Sequence, residues 1–253
     1  MSFVAHKMHP TGLCGIKVDT KPAPLYSEDE TKGHLLNNGQ DTHMSVAERR
    51  AREKQYRIQD ILVAAEKVFF KKGFESATMN EIAREAELGK GTIYLYFKGK
   101  DDVHRAIVEK GMDILYGLIK SSTGNHANGM SKLEIVWDSF MRFRTDYPNY
   151  CNAFIHYETK PREGNEAVEI DGRVNKYKVI NFMIAAIEEG RADGSVRSDI
   201  NAADMTLMLW AQMTGAIMLV RFKSALITHL SREEPEDFLE RFKRLTYENL
   251  GSR

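Results

Sequence analysis

Cysteine and tryptophan are rare in this chain, which has two of each among its 253 residues. The two cysteines, Cys14 and Cys151, make neither a disulfide framework nor a pattern of zinc ligands. This scarcity excludes a disulfide-stabilised secreted domain and gives little basis for thiol chemistry. We therefore expect a protein of the reducing cytoplasm that holds no metal and no cofactor.

Long hydrophobic runs are also lacking. The longest uncharged stretch extends from Met205 to Val220, which is shorter than the roughly 20 residues that cross a bilayer. It also contains the polar residues Thr206, Gln212 and Thr214, so we predict a buried helix and no membrane partner. We expect no secretory signal, because the N-terminus has no hydrophobic segment with the required length and flanks.

Net charge is absent too, because 36 basic residues balance 36 acidic ones. A zero total argues neither for nor against a nucleic-acid partner, so the distribution of charge along the chain matters more. Between Met44 and Lys100 the chain has 12 basic and 8 acidic residues. The positive excess is therefore local to this segment.

Residues 1–44 mix proline and glycine with polar residues and show no sustained apolar period, which predicts a disordered tail. Order is predicted from Ser45, the N-cap of a capping box that Glu48 completes. The first helix follows, with apolar residues at helical spacing from Ile58 to Phe69. Gly73 is the predicted left-handed C-cap that ends this helix.

A second capping box starts at Thr78, the predicted N-cap of a second helix. The chain then turns between Glu87 and Gly89 and forms a third, short helix from Lys90 to Phe97. Two helices separated by a tight turn, here over residues 78–97, are typical of a helix-turn-helix motif.

The two faces of the third helix differ in chemistry. Ile93 and Phe97, four residues apart, are predicted to face the core. The opposite face is then small, apolar and hydroxyl-bearing, which suits the major groove of DNA. The residues expected to approach base edges are Lys90, Gly91, Thr92 and Leu95.

Hydroxyl and ammonium groups around that face are the predicted phosphate ligands. The N-terminus of the second helix at Thr78 has free N–H groups and the positive end of a helix dipole, so we expect a further phosphate contact there. A single surface tyrosine or lysine is usually only solvated, and it is the combination that indicates DNA. The predicted phosphate-binding side chains are Tyr94, Tyr96, Lys98 and Lys100.

The segment FFKKGFESATMNEIAREAELGKGTIYLYFKGKDDV resembles the DNA-binding domain of TetR-type transcriptional repressors. That family carries an apolar–Gly–Phe turn, a Thr-led second helix, and a Lys-Gly-Thr-x-Tyr-x-x-Phe recognition helix followed by a lysine. The resemblance covers about residues 55–115. It implies a DNA-binding domain at residues 45–115 and a second domain at residues 116–253 that binds a small molecule and dimerises.

Two positions depart from the family pattern. The family usually has glycine where this chain has Glu87, and serine or threonine where it has Gly89. The turn is therefore expected to lack a hydroxyl cap and to place a carboxylate near the DNA.

The rest of the chain is predicted to be all-α, because helical apolar spacing recurs and no strand pattern competes with it. A fourth helix is expected to begin at Asp101 and Asp102, whose charges suit the helix dipole, and to run toward Ser121. Further helices are predicted around residues 133–140, 150–157, 177–190, 199–230 and 235–250.

Aromatic and methionine side chains of the second domain are candidates for an apolar ligand cavity, although core packing is the commoner role of each one. No nucleophile–base arrangement and no HExxH spacing suggests catalysis, so we expect no enzyme. The cavity candidates are Trp137, Phe140, Met141, Phe154, Tyr157, Met183, Trp210 and Met213.

Two helices are candidates for a dimer interface. The segment from Ala202 to Phe222 is apolar nearly all round, and the final helix carries apolar residues on one side. We predict that both pair with their copies in a two-fold four-helix interface. The residues expected there are Leu209, Ile217, Phe238, Phe242 and Leu245.

These patterns favour a cytoplasmic, ligand-responsive repressor that binds a palindromic operator in double-stranded DNA as a homodimer. One alternative is an all-helical enzyme or carrier, and another is an architectural DNA-binding protein without a ligand. The effector, the operator and the regulated genes are not encoded in any of these patterns, and neither is the choice between repression and activation.

Overall fold

The computed structural model describes residues 45–125, 127–159 and 176–251. Those residues form helices and one isolated bridge between Val196 and Gly251, which confirms the all-α prediction. The tail predicted at residues 1–44 lies outside the described residues. The helices are α1 Val46–Lys72, α2 Met79–Glu85, α3 Lys90–Tyr94, α4 Lys100–Ser122, α5 Gly129–Asp146, α6 Pro148–Thr159, α7 Lys176–Asp193, α8 Ala202–Ser231 and α9 Pro235–Glu248.

The chain divides into a unit of residues 1–52 and a unit of residues 53–253. The described part of the first unit is Ser45 and the start of α1. There Ser45 donates its N–H to the Glu48 carboxylate at 2.7 Å, and its Oγ accepts the N–H of Glu48 at 3.2 Å. The predicted capping box is confirmed, and these bonds lower the pKa of Glu48.

The end of α1 is a glycine cap, as predicted. Gly73 has a φ of 78°, in the left-handed region that glycine enters without steric cost. Its N–H donates to the carbonyl oxygen of Phe69 at 2.8 Å. Phe74 then packs back on Phe69, with ring centroids 5.5 Å apart.

The recognition helix is shorter than predicted. The α-helix α3 has five residues and ends at Tyr94, whereas the sequence predicted a helix to Phe97. Tyr96 and Phe97 both donate their N–H groups to the carbonyl oxygen of Ile93, at 2.9 and 3.0 Å. The chain therefore stays in tight turns after α3, and these turns bring Phe97 to the core.

The described residues form two hydrophobic cores, and α4 contributes to both. Val103 and Ile107 belong to the first core, with α1, α2 and α3, whereas Val108 and Met112 belong to the second, with the later helices. The predicted domain boundary at residues 115–116 lies within α4. The change of core occurs about two turns earlier in the same helix.

In the second core α5 and α9 run antiparallel. Tyr247, near the end of α9, donates its hydroxyl to the carbonyl oxygen of Leu133 near the start of α5, at 3.0 Å. Arg144, near the end of α5, pairs with Glu236 at the start of α9. Since α8 packs on α9 and joins it through a short connection, α8 runs in the same direction as α5.

Helix α8 is 30 residues long and kinked at Lys223. It continues past the uncharged run through Arg221 and Lys223, in agreement with the helix predicted at residues 199–230. By length and composition α8 could span a bilayer, as core helices of soluble proteins also can. The buried-helix prediction holds for one face only. The exposed apolar residues of α8 are Leu207, Met208, Phe222, Leu226 and Leu230.

Candidate DNA-binding surface

The outward face of α3 lies open to solvent above the first core. Leu95 is 78% exposed and Tyr94 is 45% exposed, whereas Ile93 and Phe97 are buried beneath them. A rigid core therefore supports an apolar and hydroxyl-bearing surface. The other candidates for base contact are exposed or half-buried: Lys90, Gly91 and Thr92.

The turn between α2 and α3 has the hydrogen bonds of a Schellman motif. Leu88 donates its N–H to the carbonyl oxygen of Ala83 at 2.9 Å, and Glu87 donates its N–H to that of Arg84 at 3.1 Å. The motif requires a left-handed residue, usually glycine, and here Glu87 fills that position with a φ of 54°. Gly89 caps α3 without a side-chain hydrogen bond. The turn therefore forms despite both departures from the family pattern.

The start of α2 is closed by the predicted capping box. Thr78 is exposed, and its Oγ accepts the N–H of Glu81 at 3.3 Å. The Glu81 carboxylate accepts the N–H of Thr78 at 3.0 Å. Hydrogen bonds from Lys72 and then from Thr78 lower the pKa of Glu81. A carboxylate thus lies at the helix end for which the sequence predicted a phosphate contact.

The phosphate-binding candidates after α3 differ in their surroundings. Lys98 is exposed, whereas Tyr96 packs partly on the first core. The Nζ of Lys100 donates to the carbonyl oxygens of Phe74 at 2.9 Å and Glu75 at 3.0 Å, and it lies 4.5 Å from the Phe74 ring centroid. Lys100 therefore holds the turn between α1 and α2, a role that the sequence did not suggest.

Comparison with known families covers this part of the chain. Residues 61–107 match the model for bacterial regulatory proteins of the tetR family. The match runs from the buried face of α1 to Ile107 of α4 and contains the whole of α2, the turn and α3. The helix-turn-helix domain, here called the TetR domain, is similar to that family over these residues.

The TetR domain also carries the similarity to curated relatives. An HTH-type transcriptional regulator of Staphylococcus aureus strain MRSA252 is 30% identical over 97 residues, which are 38% of this chain and 51% of the relative. Its counterpart in strain USA300 is 30% identical over 96 residues, 38% and 50% of the two chains. The chain spans about half the length of these curated relatives. The matched proteins are regulators rather than enzymes.

Solved structures resemble more of the chain. A TetR family transcription regulator from Shewanella sp. PV-4 has a TM-score of 0.57 at 19% identity, over 78% of this chain and 99% of that one. FadR from Bacillus subtilis, solved in complex with stearoyl-CoA, has a TM-score of 0.56 at 16% identity, over 75% and 97%. At these identities the likeness shows the fold, that of TetR-type proteins.

Helix α6 connects the TetR domain to the second core. Tyr150 and Ala153 pack against both cores. The Nε2 of His104 in α4 lies 3.0 Å from the carbonyl oxygen of Ala153, and the Nε2 of His156 lies 3.1 Å from the carboxylate of Glu75. The spacing of three residues between Tyr150, Ala153 and His156 is the sequence signal for this face, and this face was not among the features predicted from the sequence.

The predicted ligand-cavity residues gather in the second core. Phe140, Phe154 and Trp210 pack edge to face, with centroids 5.8 to 6.0 Å apart. Trp137 stacks on Phe242 of α9 at 5.6 Å. Of the eight residues predicted to line the cavity, three are partly buried: Met141, Tyr157 and Trp210. The fully buried members are Trp137, Phe140, Phe154, Met183 and Met213.

Two surface cavities flank α9. One, of about 620 Å³, lies between the start of α5 and the end of α9, with Glu134, Lys243 and Glu248 in its wall. The other, of about 420 Å³, lies between the end of α5 and the start of α9 and includes Met141 and Arg144. Both have charged walls, in contrast to the apolar cluster inside.

The candidate dimer residues divide between core and surface. Leu209 and Ile217 are buried in the core of their own chain. Phe238 and Phe242 pack partly against the same core, whereas Leu245 is 51% exposed. A partner could therefore contact Leu245 and the exposed apolar residues of α8, with Leu209 and Ile217 supporting that surface from below.

Proposed function

We propose that this chain is a transcriptional regulator that reads double-stranded DNA with α3. The observation that carries this proposal is the exposure of Leu95 and Tyr94 above the buried Ile93 and Phe97. An apolar side chain can meet thymine methyl groups, and Lys90 can donate to guanine. Tyr94 and Lys98 supply hydroxyl and ammonium groups for the flanking phosphates.

The regulator acts as a homodimer on a palindromic operator. The support is the row of exposed apolar residues on α8, together with Leu245 of α9, because a two-fold interface buries the same surface of both copies. One short recognition helix reads only a few base pairs. Two DNA-binding domains related by two-fold symmetry require half-sites about one turn of the DNA helix apart, roughly 34–36 Å.

A small apolar or amphipathic effector releases this repressor from its operator in the cytoplasm. The effector site is the aromatic cluster of the second core, around Phe140, Phe154 and Trp210. Phe154 lies on α6, the helix that also contacts the TetR domain through Ala153 and His156. An effector that binds better to a conformation in which the two DNA-binding domains are wrongly spaced must weaken DNA binding. By linkage, DNA must weaken effector binding by the same factor. The FadR structure solved with stearoyl-CoA supports this class of effector.

A mobility-shift assay with DNA that flanks the chain's own gene tests the proposal. We expect a retarded complex with this DNA but not with a scrambled duplex of equal length. We also expect stearoyl-CoA to dissociate the complex. Equal binding to both duplexes would favour an architectural DNA-binding protein. No binding to either would favour the all-helical enzyme or carrier.

A further inference from the structure

Among the buried side-chain atoms that have no hydrogen-bond partner within the described ranges, Nε1 of Trp137 and Oγ1 of Thr206 are the two that belong to almost fully buried residues. Trp137 is 2% exposed and Thr206 is 0% exposed, so bulk solvent reaches neither group. An unpaired buried donor is unfavourable, and native proteins contain few of them. Each such group therefore needs an explanation.

Thr206 differs from other hydroxyl-bearing residues in these helices. The hydroxyl of Thr214 donates to the carbonyl oxygen of Trp210 at 2.8 Å, and that of Thr145 donates to Met141 at 3.1 Å. A threonine hydroxyl within a helix can donate in this way to a carbonyl oxygen of the preceding turn. Thr206 lies inside α8 but does not make it, so its hydroxyl is available to a group outside its own helix.

The residues that carry the two orphaned atoms each precede, by about one turn, a contact between α5 and α8. The parallel helices α5 and α8 meet at Phe140 and Trp210, whose ring centroids are 6.0 Å apart. Trp137 precedes Phe140 by about one turn, and Thr206 precedes Trp210 by about one turn. Since both steps lead in the same direction along parallel helices, Trp137 and Thr206 lie at a similar level of the second core.

We infer that the effector carries a hydrogen-bond acceptor, such as a carbonyl oxygen, that receives the N–H of Trp137 and the O–H of Thr206. This inference rests on the proposed function, which places the effector in the second core. The surrounding groups are the rings of Phe140, Trp210 and Phe242, so the body of the effector is apolar. The class is thus an acyl thioester, ester or amide with a long apolar group, and a simple hydrocarbon chain is disfavoured.

Calorimetric titration of the full-length protein with two matched ligands tests this inference. Stearoyl-CoA has the carbonyl oxygen, and S-octadecyl-CoA is the thioether in which a methylene group replaces that carbonyl. We expect the unchanged protein to bind the thioester about tenfold more tightly. The double variant Trp137→Phe, Thr206→Val keeps the ring and the branched shape, so we expect it to bind both ligands equally. Thr214→Val is the control and should retain the preference.

The stability of the ligand-free Thr206→Val variant is a second measurement, because valine has nearly the shape of threonine and leaves no cavity. Its melting temperature should stay the same or rise, since the substitution removes an unpaired hydroxyl. A clear fall would mean that this hydroxyl is already satisfied in the free protein, for example by a buried water, and would overturn the inference. Equal affinity of the two ligands for the unchanged protein would also overturn the inference, and it would indicate an effector that is recognised by its apolar part alone. If neither ligand binds, the proposed effector class is wrong and the inference fails with it.

Discussion

Gly129, the first residue of α5, lies directly against Gly190 of α7. A Cβ atom on Gly129 would lie 2.1 Å from the backbone nitrogen of Gly190 and 2.4 Å from the carbonyl oxygen of Ala186. Asp193 also fixes the start of α5, because its carboxylate accepts the N–H of Gly129 at 2.9 Å. The backbones can approach this closely only because Gly129 has no side chain, whereas a Cβ atom on Gly190 would lie 2.4 Å from Cγ2 of Val196.

Gly129→Ala should therefore lower the free energy of unfolding by about 1–3 kcal/mol, because backbone atoms must move to admit the new methyl group. Gly117→Ala is the control, since Gly117 is exposed within α4 and no atom lies within 4 Å of its Cβ position. That change should raise the free energy of unfolding by about 0.5–1 kcal/mol. Urea denaturation measures both, and equal effects would contradict the close contact.

Glu87 provides a test of the helix-turn-helix turn. Its left-handed backbone is unfavourable for any residue with a Cβ, so Glu87→Gly should raise the free energy of unfolding by roughly 0.5–1 kcal/mol. Glu87→Ala removes the charge and keeps the strained backbone, so its stability should not rise. If the carboxylate lies near DNA, both variants should bind the operator more tightly at low salt and lose that gain at high salt. An affinity gain for the glycine variant alone would point to the backbone instead.

Lys98 and Lys100 should respond differently to replacement by alanine. Lys98→Ala should weaken binding to all sequences alike and lower the salt slope by about one per head, with no change in stability. Lys100→Ala should also lower the melting temperature, because it removes both hydrogen bonds to the turn carbonyls of Phe74 and Glu75. Thermal melts beside salt titrations separate the two effects. An unchanged melting temperature for Lys100→Ala would show that those bonds contribute little.

Base recognition is assigned to Lys90 and Leu95. Each alanine variant should cost about 1–3 kcal/mol on the preferred operator and relax the preference at the base pairs it touches. Tyr94→Phe, which removes a predicted phosphate contact, is the control and should weaken all sequences equally. Binding across a set of operator variants measures the pattern. A uniform loss for Lys90→Ala and Leu95→Ala would refute the assignment of the helix faces.

Leu207 tests the dimer interface. It is 61% exposed in the single chain, so Leu207→Glu should leave the fold intact but place a charge in the interface and favour the monomer. Val63→Glu, at an apolar position of α1 that is 47% exposed, should remain dimeric. Sedimentation velocity at micromolar concentration distinguishes the two. A monomeric unmodified protein would show that α8 does not form this interface.

The caps and helix starts were the most predictable features. The capping boxes at Ser45 and Thr78 and the glycine cap at Gly73 all occur where the sequence placed them. Each depends on hydrogen bonds between residues at most four positions apart. Helix ends were less predictable, because the N–H groups of Tyr96 and Phe97 keep helix-like bonds beyond the last residue of α3.

The sequence by itself determined the TetR-type motif and the all-α class, because capping, turn chemistry and apolar period depend on residues that are close in the chain. Only the tertiary structure decided that Leu209 faces inward while Leu207 faces solvent, because α8 is apolar on both sides and its neighbours select the buried face. The same holds for the ammonium group of Lys100 and for Gly129. Their partners lie 25 or more residues away in the chain, so the packing of the helices alone brings them together.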